Sequence, residues 1–155
     1  MLTQVSGRAG RSKDGPRGKV VIQSFSADHW LLQHVVEQDH EALVSRELIE
    51  RQMYMYPPYV RMIRLTLKHS DTQRVDAGAA VLAARLQQRF GDRVIGPDTP
   101  ALARINDLHI RQVTLKFERS LAPQQYRPFL EADLEEFQKD ARWKRLRLTV
   151  DVDPV

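Results

Sequence analysis

Val60-Arg61-Met62-Ile63-Arg64-Leu65-Thr66-Leu67-Lys68 alternates between apolar and polar side chains. A period of two predicts a half-buried β-strand, with Ile63, Leu65 and Leu67 on one face and Met62, Arg64, Thr66 and Lys68 on the other. Beyond His69 the period changes. Ser70-x-x-Gln73 has the form of a capping box, and Val75, Ala79, Leu82, Leu86 and Phe90 make an apolar stripe at helical spacing that Gly91 can end. Residues 93–105 read as extended but are interrupted by Pro97 and Pro100, which suits an edge strand. Alternation returns over 109–118, with Val113, Leu115 and Phe117 inward. Ser120 opens a second predicted helix carrying Tyr126, Leu130, Leu134 and Phe137, with Pro128 in its first turns or at a kink. Residues 145–152 close the pattern with Leu146, Leu148, Val150 and Val152 inward. The order is βαββαβ, the split βαβ or ferredoxin-like arrangement of an α+β domain over residues 59–155.

In that arrangement the first strand lies between the third and the fourth, and both helices cover one face. The other face carries Arg64, Thr66 and Lys68, then Gln112, Thr114 and Lys116, then Arg145, Arg147 and Thr149. Arg64, Lys68, Lys116, Arg145 and Arg147 are therefore the candidate DNA-binding residues, suited to neutralising phosphates without reading sequence. A plainly solvated face, or one that packs on the rest of a larger protein, is the alternative. Asp151-x-Asp153 puts two carboxylates on one side of the last strand. Nothing nearby completes a magnesium site, so a structural role is expected, with an arginine as partner.

Upstream, residues 19–25 have the nearly continuous apolar centre of a strand buried on both faces. Ser26-Ala27-Asp28 signals a helix start, and Asp39 is placed to cap a second helix. Residues 26–58 thus read as a helical connector. His29, His34 and His40 match no zinc-helix spacing and read as surface or packing histidines. Tyr54-Met55-Tyr56-Pro57-Pro58-Tyr59 breaks the second helix, and reads either as a polyproline ligand or as a rigid elbow whose tyrosines pack.

Composition bounds the function. The 155 residues carry 24 Lys and Arg against 20 Asp and Glu, a formal net charge of +4, which favours a polyanionic partner. At 42% hydrophobic residues there is enough for a core, and no apolar run approaches the ~20 residues of a membrane span. The chain starts without the layout of a secretory signal. Its lack of cysteine excludes thiol catalysis and cysteine-ligated zinc within this stretch.

Gln4-Val5-Ser6-Gly7-Arg8-Ala9-Gly10-Arg11 has the form Q-x-x-G-R-x-G-R. Gly7 and Gly10 permit close approach of a nucleotide, and arginine forms two parallel hydrogen bonds to a phosphoryl group. A flexible basic tail has the same composition. The pattern resembles the last motif of superfamily-2 helicases. By that resemblance Arg11 is an arginine finger, worth roughly three to five decades in rate, with Arg8 and Gln4 as supporting contacts. No phosphate loop occurs anywhere in the chain, so it reads as the C-terminal part of a longer protein.

Taken in order, Q-V-S-G-R-A-G-R, K-V-V-I-Q-S-F at 19–25, R-E-L-I-E-R-Q at 46–52, Y-P-P-Y at 56–59, I-G-P at 95–97, I-R-Q-V-T-L-K at 110–116 and D-V-D-P at 151–154 resemble the C-terminal part of the bacterial primosomal replication-restart helicases. The resemblance covers essentially the whole chain. It implies that residues 1–25 end the second RecA-like lobe of a 3′→5′ ATP-dependent DNA helicase. A connector and a ribosomal-protein-like C-terminal domain implicated in DNA binding would come next. It also implies ATP and magnesium in the parent protein, and zinc held by ligands outside this stretch. Implied partners are forked and single-stranded DNA, primosome proteins and single-strand-binding protein, in the bacterial cytoplasm at the nucleoid. The family often has aromatic residues in the hairpin before I-R-Q, where this chain has Ile105-Asn106-Asp107-Leu108-His109 and only His109 can stack. A non-enzymatic nucleic-acid-binding βαββαβ module with a basic tail, or a ribosome-associated RNA-binding protein, would share the same fold.

Overall fold

Leu65 and Leu67 are wholly inaccessible to solvent, and they lie on the central strand of the sheet, β1 (Val60–His69). The structure, a computed structural model, describes residues 20–26, 28–37 and 39–154. The chain divides into two compact units between Glu50 and Arg51. In the first, α1 (Trp30–Glu37) is followed by α2 (His40–Met53), which runs on into the second. Asp39 caps α2 as its position in the sequence suggests, its Oδ1 accepting from the Ala42 amide at 3.0 Å. His29 accepts the Leu31 amide proton through Nδ1, and His34 packs edge-on against Trp30. The strand expected over 19–25 is corrected: residues 20–26 pair with no strand among the described residues. A strand of a parallel sheet draws its hydrogen bonds from neighbours, and its apolar residues alone do not supply them.

The second unit has the expected order of elements with one addition. After β1 come α3 (Thr72–Phe90), β2 (Val94–Asp98), a two-residue β3 (Arg104–Ile105), β4 (Leu108–Glu118), α4 (Pro123–Lys139) and β5 (Arg147–Val152). The sheet is antiparallel in the order β2-β4-β1-β5, with β3 also on β4. The first long strand thus lies between the third and the last, as the split βαβ arrangement requires. Residues 93–105 form two short strands along one edge of β4 rather than one, because the stretch from Thr99 to Leu102, with Pro100 in it, leaves the ladder.

Two helix starts are displaced from their sequence signals. The α3 cap is Asp71, not Ser70: its Oδ1 accepts from the Gln73 and Arg74 amides, and a carboxylate also suits the positive end of the helix dipole. The second helix begins at Pro123, not at Ser120; Gln125 Oε1 accepts from the Ala122 amide, and Pro123 takes the first helical position, where it forfeits no hydrogen bond. Gly91 ends α3 at a φ of 59°, as expected.

Both helices lie on the face of Ile63, Leu65 and Leu67. Phe117 joins the layers, stacking on Tyr126 of α4 at 3.9 Å between centroids and meeting Phe90 of α3 edge-on at 5.5 Å. Gly78 on α3 lies against Leu146 and Trp143, where a Cβ would collide with the leucine. Val150 and Val152 have the expected inward parity, yet they remain 47% and 62% exposed, being on an edge strand.

One charge lies inside. Asp133 of α4 is 2% exposed and receives Arg85 Nε at 3.1 Å and Arg89 Nε at 2.6 Å from α3. Burial pushes its carboxyl up, but hydrogen bonds from Arg89 and Arg85 outweigh burial and hold it below the ordinary carboxylate range. Asp133→Asn should destabilise the chain by about 2 kcal/mol at pH 7, less than a fully enclosed pair because both arginines reach water. A depressed folded-state value gives stability that is complete above the unfolded carboxyl's value, about 3.9, and is lost as the pH falls through the folded one. The gap between parent and Asp133→Asn in urea unfolding should therefore close below about pH 4.

Candidate nucleic-acid interface

The ladder registers define the face that the helices leave free. Lys68 lies opposite Arg147, Thr66 opposite Thr149 and Gln112, and Arg64 opposite Asp151 and Thr114. Lys116 lies opposite Met62 on the same side. Arg64, Lys68, Lys116 and Arg147 thus share the face assigned to them by alternation. Arg145 does not sit on the strand; β5 begins at Arg147, and Arg145 lies in the exposed turn leading into it.

Charge is sorted between the two sides of the domain. Every basic side chain on α3 and α4 has a partner: Arg74 donates to the Arg142 carbonyl, Arg85 and Arg89 bind Asp133, Arg127 binds Glu131 and Lys139 binds Glu135. Among the described residues, the side chains of Arg64, Lys68, Arg145 and Arg147 make no hydrogen bond or ion pair. Unpaired cations that share a surface repel one another and raise the local potential, which favours a polyanion over a neutral ligand. The face also carries carboxylates: Asp151 opposite Arg64, Asp98 opposite Gln112, and Glu118, which is paired with Arg93.

Lys116 has a different neighbourhood from the other four. Its Nζ donates to the Tyr54 carbonyl at 2.9 Å and lies 4.2 Å from the centre of the Tyr56 ring. Burial lowers its ammonium below the ordinary lysine range. The elbow of residues 54–59 thus engages the Lys116 end of the face, and Met62, outward by alternation, is only 2% exposed. The expectation that the elbow's tyrosines pack is met only in part: Tyr56 lies on Lys116, yet Tyr54, Tyr56 and Tyr59 are 62%, 42% and 38% exposed.

Asp153 latches the end of the sheet rather than pairing with an arginine. Its Oδ1 accepts the Met62 amide proton at 2.8 Å while its own amide donates to the Met62 carbonyl at 2.7 Å. The hairpin from β3 to β4 turns at Asn106 and Asp107, both with positive φ, and His109 lies opposite His69. That register puts His109 on the helix-side parity, away from the free cations. Gln4, Gly7, Arg8, Gly10 and Arg11 lie outside the described residues.

These features define a class: an α+β domain with a split βαβ sheet, helices on one side and a basic sheet face on the other. Residues 52–155 match the family model described as the primosomal protein N C-terminal domain, and the chain belongs to that family. It is similar to the replication restart protein PriA of Bacillus subtilis, 29% identical over 99% of this chain and 19% of that protein. It is likewise similar to the PriA proteins of Treponema pallidum, 33% identical over 100% of this chain and 23% of that protein, and of Synechocystis sp., 31% identical over 75% and 14%. The chain therefore spans roughly a fifth of the length of the curated relatives it matches. No described helix is long and apolar enough to cross a membrane.

If Lys116 holds the elbow to the sheet, Lys116→Met should release it. Amide exchange at Tyr56 and Tyr59, whose amides close the elbow, should accelerate several-fold, with a loss of about 1 kcal/mol in overall stability, the scale of one partly exposed hydrogen bond.

Proposed function

We propose that this chain is the C-terminal part of an ATP-dependent 3′→5′ DNA helicase that binds stalled forks and restarts replication. Within it, residues 59–155 hold DNA through the sheet face opposite the helices. The observation that carries this reading is the sorting of charge: the helices α3 and α4 neutralise their own cations, while Arg64, Lys68 and Arg147 stay unpaired on one sheet face. Membership in the primosomal protein N family supports the role in replication restart.

Residues 1–25 would end the second RecA-like lobe, with Arg11 as the finger on the transferring phosphate, Arg8 and Gln4 beside it, and Gly7 and Gly10 allowing close approach. The match to the Treponema protein runs over 100% of the chain and so takes in this motif. ATP and its magnesium would be held chiefly by the rest of the protein, because no phosphate loop occurs here and this chain alone would not turn over nucleotide. Zinc ligands would also lie elsewhere: the chain has no cysteine, and the described residues contain no group of three or more His, Asp or Glu placed to hold a metal. Primosome proteins and single-strand-binding protein would be its partners, in the cytoplasm at the nucleoid.

The triple variant Arg64→Glu, Lys68→Glu, Arg147→Glu should weaken DNA binding and make its salt dependence shallower by roughly one unit of log–log slope per lost phosphate contact. A folded triple variant with parental affinity and slope would rule the face out. In the full-length protein, Arg11→Ala should remove most ATP turnover and leave nucleotide binding nearly intact, whereas turnover within about twofold of the parent would deny Arg11 the finger role.

A further inference from the structure

The basic face continues into the elbow, and the elbow is held by cations. The Tyr54, Pro57 and Pro58 carbonyl oxygens accept hydrogen bonds from Lys116 Nζ at 2.9 Å, Arg51 Nη1 at 3.0 Å and Arg119 Nε at 2.8 Å. Two backbone bonds, from the Tyr56 amide to the Arg51 carbonyl and from the Tyr59 amide to the Tyr56 carbonyl, fix its curvature. Ordering three long basic side chains costs rotamer entropy, and that cost is usually offset by burying apolar surface. Here the immobilised segment instead displays apolar surface: Tyr54, Met55, Tyr56 and Tyr59 are all exposed.

The elbow lies beside the free cations. Lys116 is two residues along β4 from Thr114, which faces Arg64, so the lysine that anchors Tyr54 and Tyr56 is the immediate same-face neighbour of the Arg64 position. From Met62 to Lys68 the strand rises about 20 Å at ~3.3 Å per residue. Exposed aromatic rings on a backbone held in place, at one end of a row of unpaired cations, are the two components of single-strand recognition, in which phosphates follow the charge and bases stack on the rings. A duplex keeps its bases stacked on one another and offers the rings nothing. The cations argue against an apolar peptide as occupant.

We infer that Tyr54 and Tyr56 form a stacking platform for unpaired bases of single-stranded DNA, whose phosphates run along Arg64, Lys68 and Arg147. This rests on the proposed DNA face and adds to it a preference for single strands, with the residues that produce it. Tyrosine presents a wide flat surface with few rotatable bonds, so little entropy is lost when a base settles on it. Stacking carries no charge. Its loss should lower affinity at every salt concentration and leave the salt slope unchanged, whereas loss of the cations should change the slope.

The test is equilibrium binding of the 155-residue chain to a labelled oligothymidylate and to a blunt duplex of equal length across a salt series. Tyr54→Ala with Tyr56→Ala should weaken oligothymidylate binding roughly tenfold or more, leave duplex binding within about twofold of the parent, and keep the parental slope. Tyr54→Phe with Tyr56→Phe should bind like the parent, because the ring remains. The platform is overturned if the alanine pair binds oligothymidylate as the parent does. It is also overturned if both DNAs are lost equally, or if the phenylalanine pair fails as badly as the alanine pair. If the Arg64, Lys68 and Arg147 triple variant loses affinity and slope while the alanine pair does not, the platform alone is wrong. If neither variant has an effect, the basic face falls with it.

Discussion

Strand β1 has β4 on one side and β5 on the other, so its hydrogen bonds are taken up within the sheet and each side chain must go to one face or the other. Both helices pack on one of those faces. This one-sidedness is the constraint on which the other features depend. It commits Ile63, Leu65, Val113, Leu115 and Phe117 to a closed apolar layer with Val75, Leu82, Leu86 and Tyr126. It also leaves Arg64, Thr66, Lys68, Gln112 and Thr114 on the opposite face, where side chains can be polar and charged at little cost in burial, although Val60, Met62 and Ile110 of the same parity are buried.

The helix layer manages charge in its own way. A carboxylate between two helices is costly unless it is paired, and Asp133 is paired twice. It also registers α3 against α4, since one residue on α4 must meet two positions a helical turn apart on α3. The arginines that do this are consumed in it. On the sheet side Glu118 is taken up by Arg93 and Asp153 by the Met62 amide, while the side chains of Arg64, Lys68 and Arg147 make no hydrogen bond or ion pair among the described residues.

The elbow modifies this division. It engages Lys116 and exposes tyrosines at the margin of the basic face, so the surface open to a ligand is shorter than the strands that build it and more aromatic than their alternation suggests. Three basic side chains, from Arg51, Lys116 and Arg119, act here as structural donors to carbonyls. Counting cations on a face overstates the number free to meet phosphate.

Much of this was legible in the sequence, because periodicity is a local property. Alternation over 60–68 and 109–118 decided which side chains point the same way, and the apolar stripe of 75–90 decided which side of α3 is buried. Gly91, Asp39 and the order of strands were equally readable. Displacements of a few residues at Asp71 and Pro123 arose because several potential caps stood side by side, and the hydrogen-bond geometry of the finished helix chooses among them. The strand expected at 19–25 lacked ladder partners, a requirement no local pattern expresses. Alternation says which side a residue faces but not what covers that side. That Met62 is shielded while Val150 is not, that Lys116 holds a carbonyl 62 positions away and that Asp153 closes onto Met62 were decided only by tertiary structure. Each depends on segments distant in the chain meeting at one place, and that meeting is set by the packing of the whole domain.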